Sequence, residues 1–311
     1  MPLDPQVVNM LRLLEMEGGE PMEKLTAREA RLGDWSRDFV GVTESVTSVT
    51  HTFFTGPTAD LPLRIYKPSG TEPLGAIVYF HGSAFAVSNI GLADSPHRAI
   101  ANRTGCVVVA VNYQKAPEHK FPIPLDDAYA ALRWTQENAE SLGIDPTHVG
   151  VGGDSAGGNL AAAVCLKASD EGGPEIAFQL LIYPALDANF SGRSMDENAD
   201  GFLLSAAGVR WAWEQYLERP EDGENSLVSP LRAPNLQGLP AAIVLTAEYD
   251  PLRDQGEDYA QRLIDSGVPT IRRRYDGMIH GFLWTAGVVD GSRRLLEDIG
   301  TDVRKMLTLR A

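Results

Sequence analysis

A chain of 311 residues, 43% hydrophobic and 22% charged, carries enough apolar material for one large core, and its formal net charge of −15 disfavours a polyanionic partner such as nucleic acid. No apolar stretch approaches the roughly 20 residues that span a bilayer, and Met1-Pro2-Leu3-Asp4-Pro5 followed by Glu15, Glu17 and Glu20 makes no basic signal-peptide start, so a cytoplasmic location is expected. Cys106 and Cys165 sit in apolar runs without CxxC spacing; they read as buried thiols, with no metal site implied.

Residues 1–45 show apolar residues at helical spacing around Val7 to Met16 and again around Met22 to Leu32, a helical appendage before any strand. Val49 to Phe54 and Leu61 to Tyr66, separated by Gly56-Pro57, predict a hairpin. Strand and helix then alternate. Gly75 to Phe80 and Val107 to Asn112 are continuous apolar runs, as expected of strands buried on both faces. A helix is expected around Ser95 to Arg103, and a long one from Leu125 to Leu142, with Asp126 and Asp127 favouring its N-terminus and Gly143 ending it. Strands follow at Val149 and at Phe178 to Tyr183. Residues 187–225 break the rhythm with an aromatic, mostly helical stretch and read as an insertion. Strands resume at Ala242 to Thr246 and Thr270 to Tyr275, with a helix at Leu252 to Ser266 between them and a last helix from Ser292 to Leu309. Arg272-Arg273-Arg274 is the one basic run and reads as alternating faces of an edge strand. The whole predicts an α/β fold: eight strands, mostly parallel, with helices on both faces. The pieces at 1–45 and 187–225 would form a bipartite helical cap over a core made of 46–186 and 226–311, meeting above the edge where strand C-termini place ligands.

The chain is organised around Val149-Gly150-Val151-Gly152-Gly153-Asp154-Ser155-Ala156-Gly157. A strand that breaks into glycines around one serine and re-enters a helix lifts that hydroxyl above the sheet, the geometry of a nucleophile elbow. A serine needs a base, and the base needs a carboxylate to fix its tautomer. Of the histidines, His51 lies in the hairpin and His148 opens the elbow strand away from the functional edge. His97 and His119 sit in polar surroundings that predict solvated rings. His280 alone stands in a glycine-bounded loop after the last strand. Asp250, in the loop leaving Ile243-Val244-Leu245-Thr246, fits the Ser…Asp…His order. Asp254 falls into the following helix as a dipole partner, and Glu248 is placed to orient the loop. Oxyanion donors are expected from the amide of Ala156 and from the loop Gly82-Ser83-Ala84 after a buried strand.

These motifs resemble those of the bacterial hormone-sensitive lipase family of carboxylesterases, within the α/β-hydrolase fold. The likeness rests on His81-Gly82, Gly153 to Gly157, Asp250-Pro251-Leu252 and His280-Gly281-Phe282, with Asn112-Tyr113, Ala116-Pro117-Glu118, Phe121-Pro122 and Asp126-Asp127 between them. It implies a catalytic Ser155, Asp250 and His280, an oxyanion hole at Gly82, Ser83, Ala84 and Ala156, a loop-bracing His81, and no cofactor. It also implies hydrolysis of small esters of short to medium acyl chains. An amidase or lactonase would use the same residues, and a ligand receptor on this scaffold would lack His280. Phe85, Asp154, Phe202, Leu203, Trp211 and Phe282 are the expected substrate contacts; Trp213 and Phe190 join them as cap aromatics, and Asp154 also reads as a brace for the elbow. The family pattern has glycines at 83 and 84, so Ser83 and Ala84 predict a tighter hole with weak tolerance of bulky alcohols. The edge strand near Ile271 and the last helix are the surfaces on which a homodimer would form.

Overall fold

In the computed structural model, which describes residues 2–33, 36–190 and 192–308, the strands are β1 Ser48–Thr55, β2 Asp60–Lys67, β3 Leu74–Phe80, β4 Val107–Val111, β5 Ile144–Asp154, β6 Phe178–Ile182, β7 Ala241–Tyr249 and β8 Thr270–Ile279. They form one eight-stranded sheet in the order β1-β2-β4-β3-β5-β6-β7-β8. Only β2 runs against its neighbours; the pairs from β4 through β8 are parallel. The helices are α1 Pro5–Glu17, α2 Ala27–Ala30, α3 Asp94–Thr104, α4 Ile123–Glu137, α5 Ala139–Leu142, α6 Ala156–Glu171, α7 Ser194–Glu197, α8 Ala206–Tyr216, α9 Arg253–Asp265 and α10 Asp290–Thr308. Leu309, the expected end of the last helix, lies outside the described residues.

The continuous apolar runs have a simple cause. Successive strand residues face opposite ways, so Val78, Val109, Val151 and Val244 meet α4, α6 and α9 on one face. Ile77, Val108, Leu180 and Leu245 meet α3 and α10 on the other. Neither face reaches water, so neither needs a polar residue. At the β8 edge Arg273 pairs with Asp302 of α10 while Arg274 pairs with Glu257 of α9, the alternation expected of the basic run.

Four local expectations differ. The long helix is broken at Asn138, whose side-chain amide donates to the Trp134 carbonyl and competes with the helix ladder. Asp127 does not serve the helix N-terminus; it is buried and accepts from the backbone N–H of Gln114. His97 is not solvated: it is fully buried with its ring 5.0 Å from that of Tyr79 and 5.5 Å from that of Tyr66, and desolvation pushes its pKa down to about 3. In the stretch Met22 to Leu32, helix is confined to the turn Met22–Lys24 and to α2.

The two helical pieces outside the alternation touch each other. Ser205 donates to Glu23 at 2.8 Å and the Trp211 indole donates to the Leu25 carbonyl at 3.1 Å. Arg31 ties the N-terminal piece to the loops leaving β3 and β4, donating to the carbonyls of Ala86 and Ala116 and pairing with both Glu118 oxygens.

Candidate active site

Ser155 sits between β5 and α6 at φ 56°, ψ −121°, a region that costs a non-glycine residue on the order of 1–3 kcal/mol. The glycines around it make that turn feasible. A Cβ on Gly157 would overlap the Phe80 carbonyl, and one on Gly153 would overlap Gly157 itself. The turn aims Ser155 Oγ at His280 Nε2, 2.9 Å away, and His280 Nδ1 lies 2.8 Å from Asp250 Oδ2. Asp250 is fully buried, and its other oxygen accepts from Leu252 N at 2.7 Å. Because a carboxylate at this position accepts only, Nδ1 carries the imidazole proton and Nε2 is left to accept from the serine.

The acid and base loops are held from several sides. Glu248 Oε2 accepts from Gly277 N at 2.7 Å, joining the end of β7 just before Asp250 to the end of β8 just before His280. Asn198 Nδ2 donates to the Asp250 carbonyl and Ser194 Oγ to that of Pro251, so the inserted α7 region also grips the acid loop. Asp254 accepts from Ser194 N and from Arg253, which removes it as a rival acid. The Tyr183 ring lies 4.7 Å from that of His280.

Among the described residues no partner accepts from the N–H of Ser83, Ala84 or Ala156, which leaves them free to donate to a ligand. Gly82 is a correction to the expected donor set: its N–H is already given to Asp154 Oδ1 at 2.8 Å. Its lack of a side chain is still required, since a Cβ there would overlap Asp154 Oδ2. Asp154 is likewise no substrate contact. It is 1% exposed and also accepts from Tyr79 and from the Trp284 indole at 2.9 Å. Burial pushes its carboxyl pKa up while these donors pull it back.

The expected crowding by Ser83 does not arise, because its hydroxyl lies 2.5 Å from that of Tyr113, and the side chain is 5% exposed. Ala84, at φ 46°, packs toward Ala27 and Trp211. Phe282 is a core residue against Tyr275 and Tyr183. Phe85 is 1% exposed and stacks on Tyr216 at 3.9 Å, and Trp211 is buried in the joint between the two helical pieces. Of the expected substrate contacts Phe190, Phe202 and Leu203 keep substantial exposure, Phe202 resting on Tyr249 beside Asp250 and Phe190 lying under the Arg210 guanidinium. Sequence reasoning passed over Tyr79, Trp284 and Asn198, whose signal is only a polar tip on a residue that otherwise reads as core or loop.

The family description matching this chain is the alpha/beta hydrolase fold, over residues 77–284. The chain belongs to that family. Its resemblance to the hormone-sensitive lipase branch, drawn from the motifs, agrees with its relatives. It is 37% identical over 291 residues to an arylesterase of Saccharolobus solfataricus, covering 91% of this chain and 93% of that protein. It is 34% identical over 305 residues to an ethyl acetate hydrolase of Pseudomonas putida, covering 93% and 95%. An ester-hydrolase from the metagenome of Lake Arreo, solved with a derivative of bipyridine phosphonate, superposes with a TM-score of 0.93 at 38% identity, over 97% of this chain and 98% of that one. The α/β sheet expected from the alternation of strand and helix, and the hydrolase fold that the motif resemblance implies, are the ones observed.

Proposed function

We infer that the protein hydrolyses carboxylic esters by double displacement, with Ser155 as nucleophile, His280 as general base and acid, and Asp250 as the ionised partner that steadies the imidazolium. The observation that carries this reading is the unbroken line from Ser155 Oγ through both ring nitrogens of His280 to Asp250, beside the N–H groups of Ser83, Ala84 and Ala156, which have no acceptor among the described residues. Ser155 Oγ bonds to the acyl carbon as its proton passes to Nε2, and the carbonyl oxygen becomes an oxyanion facing the amides of Ser83, Ala84 and Ala156. The same proton leaves with the alcohol. Water then gives a proton to His280 and attacks the acyl-serine, and collapse returns the serine and the acid.

Small substrates of short to medium acyl chain are favoured because Phe85, Trp213 and Tyr216 pack closely on one another in the buried cluster that includes Ala156, and because relatives carry the names arylesterase and ethyl acetate hydrolase. The residues 1–45 and 187–225 act as the cap. The deciding experiment is a panel of p-nitrophenyl esters from acetate to dodecanoate beside the matching anilides and lactones, with Ser155→Ala as control. Ester turnover peaking at short chains and abolished in the variant is expected, together with a single organophosphate adduct at Ser155. Adduct formation elsewhere, or full activity in the variant, would overturn the reading.

A further inference from the structure

The donor loop is fixed from beneath by groups outside the proton relay. The His81 carbonyl accepts from Tyr113 Oη at 2.8 Å, Gly82 N–H is held by Asp154, and the Gly82 carbonyl accepts from His81 Nδ1 at 3.1 Å. The Ser83 carbonyl accepts from the N–H groups of Ala86 and Val87. Among the described residues nothing accepts from the N–H of Ser83 or of Ala84. Such a loop is under stress, since Ala84 and Phe85 both stand at positive φ, 46° and 59°, where side chains are disfavoured. Such backbone persists only when its surroundings over-determine it.

Proton counting assigns direction to the hydroxyls. A carbonyl only accepts, so the one proton of Tyr113 goes to His81 O; Tyr113 must then accept from Ser83 across 2.5 Å. The single phenol oxygen thus grips the loop at both 81 and 83. The tyrosine is itself immobilised: its ring is 1% exposed and stacked on His81 at 5.0 Å and 22°. Lys115 Nζ donates to its carbonyl and lies 3.5 Å from its ring centroid. With a glycine at 83 the second grip would be missing.

We propose that Tyr113, acting with the hydroxyl of Ser83, is a positioning residue that aims the Ser83 and Ala84 amides at the oxyanion, so that this chain's serine at 83 contributes to transition-state stabilisation. The inference rests on the nucleophilic role of Ser155 given above. Losing an oxyanion donor outright costs roughly 10²–10³ in kcat, so mis-aiming the loop should cost about 30-fold in Tyr113→Phe and about 5-fold in Ser83→Ala, with KM unchanged.

The test compares two ligands. A trifluoromethyl ketone is attacked by Ser155 Oγ, whose proton moves to His280 while the ketone oxygen becomes an oxyanion; the matching secondary alcohol binds without that step. The affinity ratio of ketone to alcohol should fall by the same factors as kcat, with alcohol affinity constant. A role confined to fold stability would leave the ratio at its wild-type value, and that result overturns the proposal. Ser83→Ala leaves Tyr113 bonded to His81, so if Tyr113→Phe does not fold the proposal stands or falls on that variant. A wild-type protein that forms neither hemiketal nor organophosphate adduct at Ser155 would overturn the nucleophile reading as well. Adduct formation with an unchanged ratio overturns the positioning role alone.

Discussion

Asp154→Asn is the substitution whose consequence is most fully set by the geometry. The carboxylate receives only donors: Gly82 N and the Tyr79 hydroxyl on Oδ1, and the Trp284 indole on Oδ2. An asparagine keeps Oδ1 for the first two, but its amide nitrogen then faces the indole N–H at 2.9 Å, donor against donor. Turning the amide over gains nothing, since it moves that clash to the Gly82 N–H while the Tyr79 hydroxyl rotates to accept. The indole becomes an unsatisfied buried donor, worth about 1–3 kcal/mol, and part of that is returned because a buried charge disappears. The net loss should be about 2 kcal/mol in equilibrium urea unfolding. Because Oδ1 still holds Gly82, kcat on p-nitrophenyl acetate should fall by less than about tenfold, whereas Asp154→Ala releases the loop and should approach a hundredfold loss. In a Trp284→Phe background the indole donor is gone, so the cost of Asp154→Asn should shrink by about 1–2 kcal/mol. Equal cost in the two backgrounds would refute the reasoning.

Asp250→Asn should keep KM and lower kcat by roughly 10³–10⁴, since the imidazole loses its tautomer-fixing partner; a loss under tenfold in steady-state kinetics would place the acid elsewhere. Gly157→Ala has no room against the Phe80 carbonyl and should yield insoluble or unfolded protein, read by circular dichroism of the purified fraction. His97 stays neutral in the native state down to about 3 but protonates in the unfolded chain near 6.5. The unfolded state therefore binds more protons in that window, and stability falls as pH drops through it. This histidine should cost roughly 2 kcal/mol between pH 6.5 and 4.5, and His97→Phe should flatten the dependence in urea titrations at the two pH values. Arg31→Met removes two bonds to loop carbonyls as well as the Glu118 pair, and protease cleavage between residues 18 and 33 should accelerate markedly.

Much of this protein can be read along the chain because its signals are local. Apolar runs of strand length, glycines that a close backbone approach demands at 153 and 157, and loops placed directly after strands are all properties of contiguous residues. They led to the sheet, to Ser155, and to Asp250 and His280 as its partners. What tertiary structure decided is the allocation of hydrogen bonds between segments far apart in sequence. Gly82 reads as an oxyanion donor until Asp154, from another strand, takes its N–H. Ser83 reads as an obstruction until Tyr113 takes its hydroxyl, and His97 reads as solvated until two tyrosine rings close over it. Each donor has one proton and each buried face one neighbour, and which distant group claims them depends on how the strands are ordered in the sheet. That order is a long-range outcome of packing, not a property of any single stretch of chain.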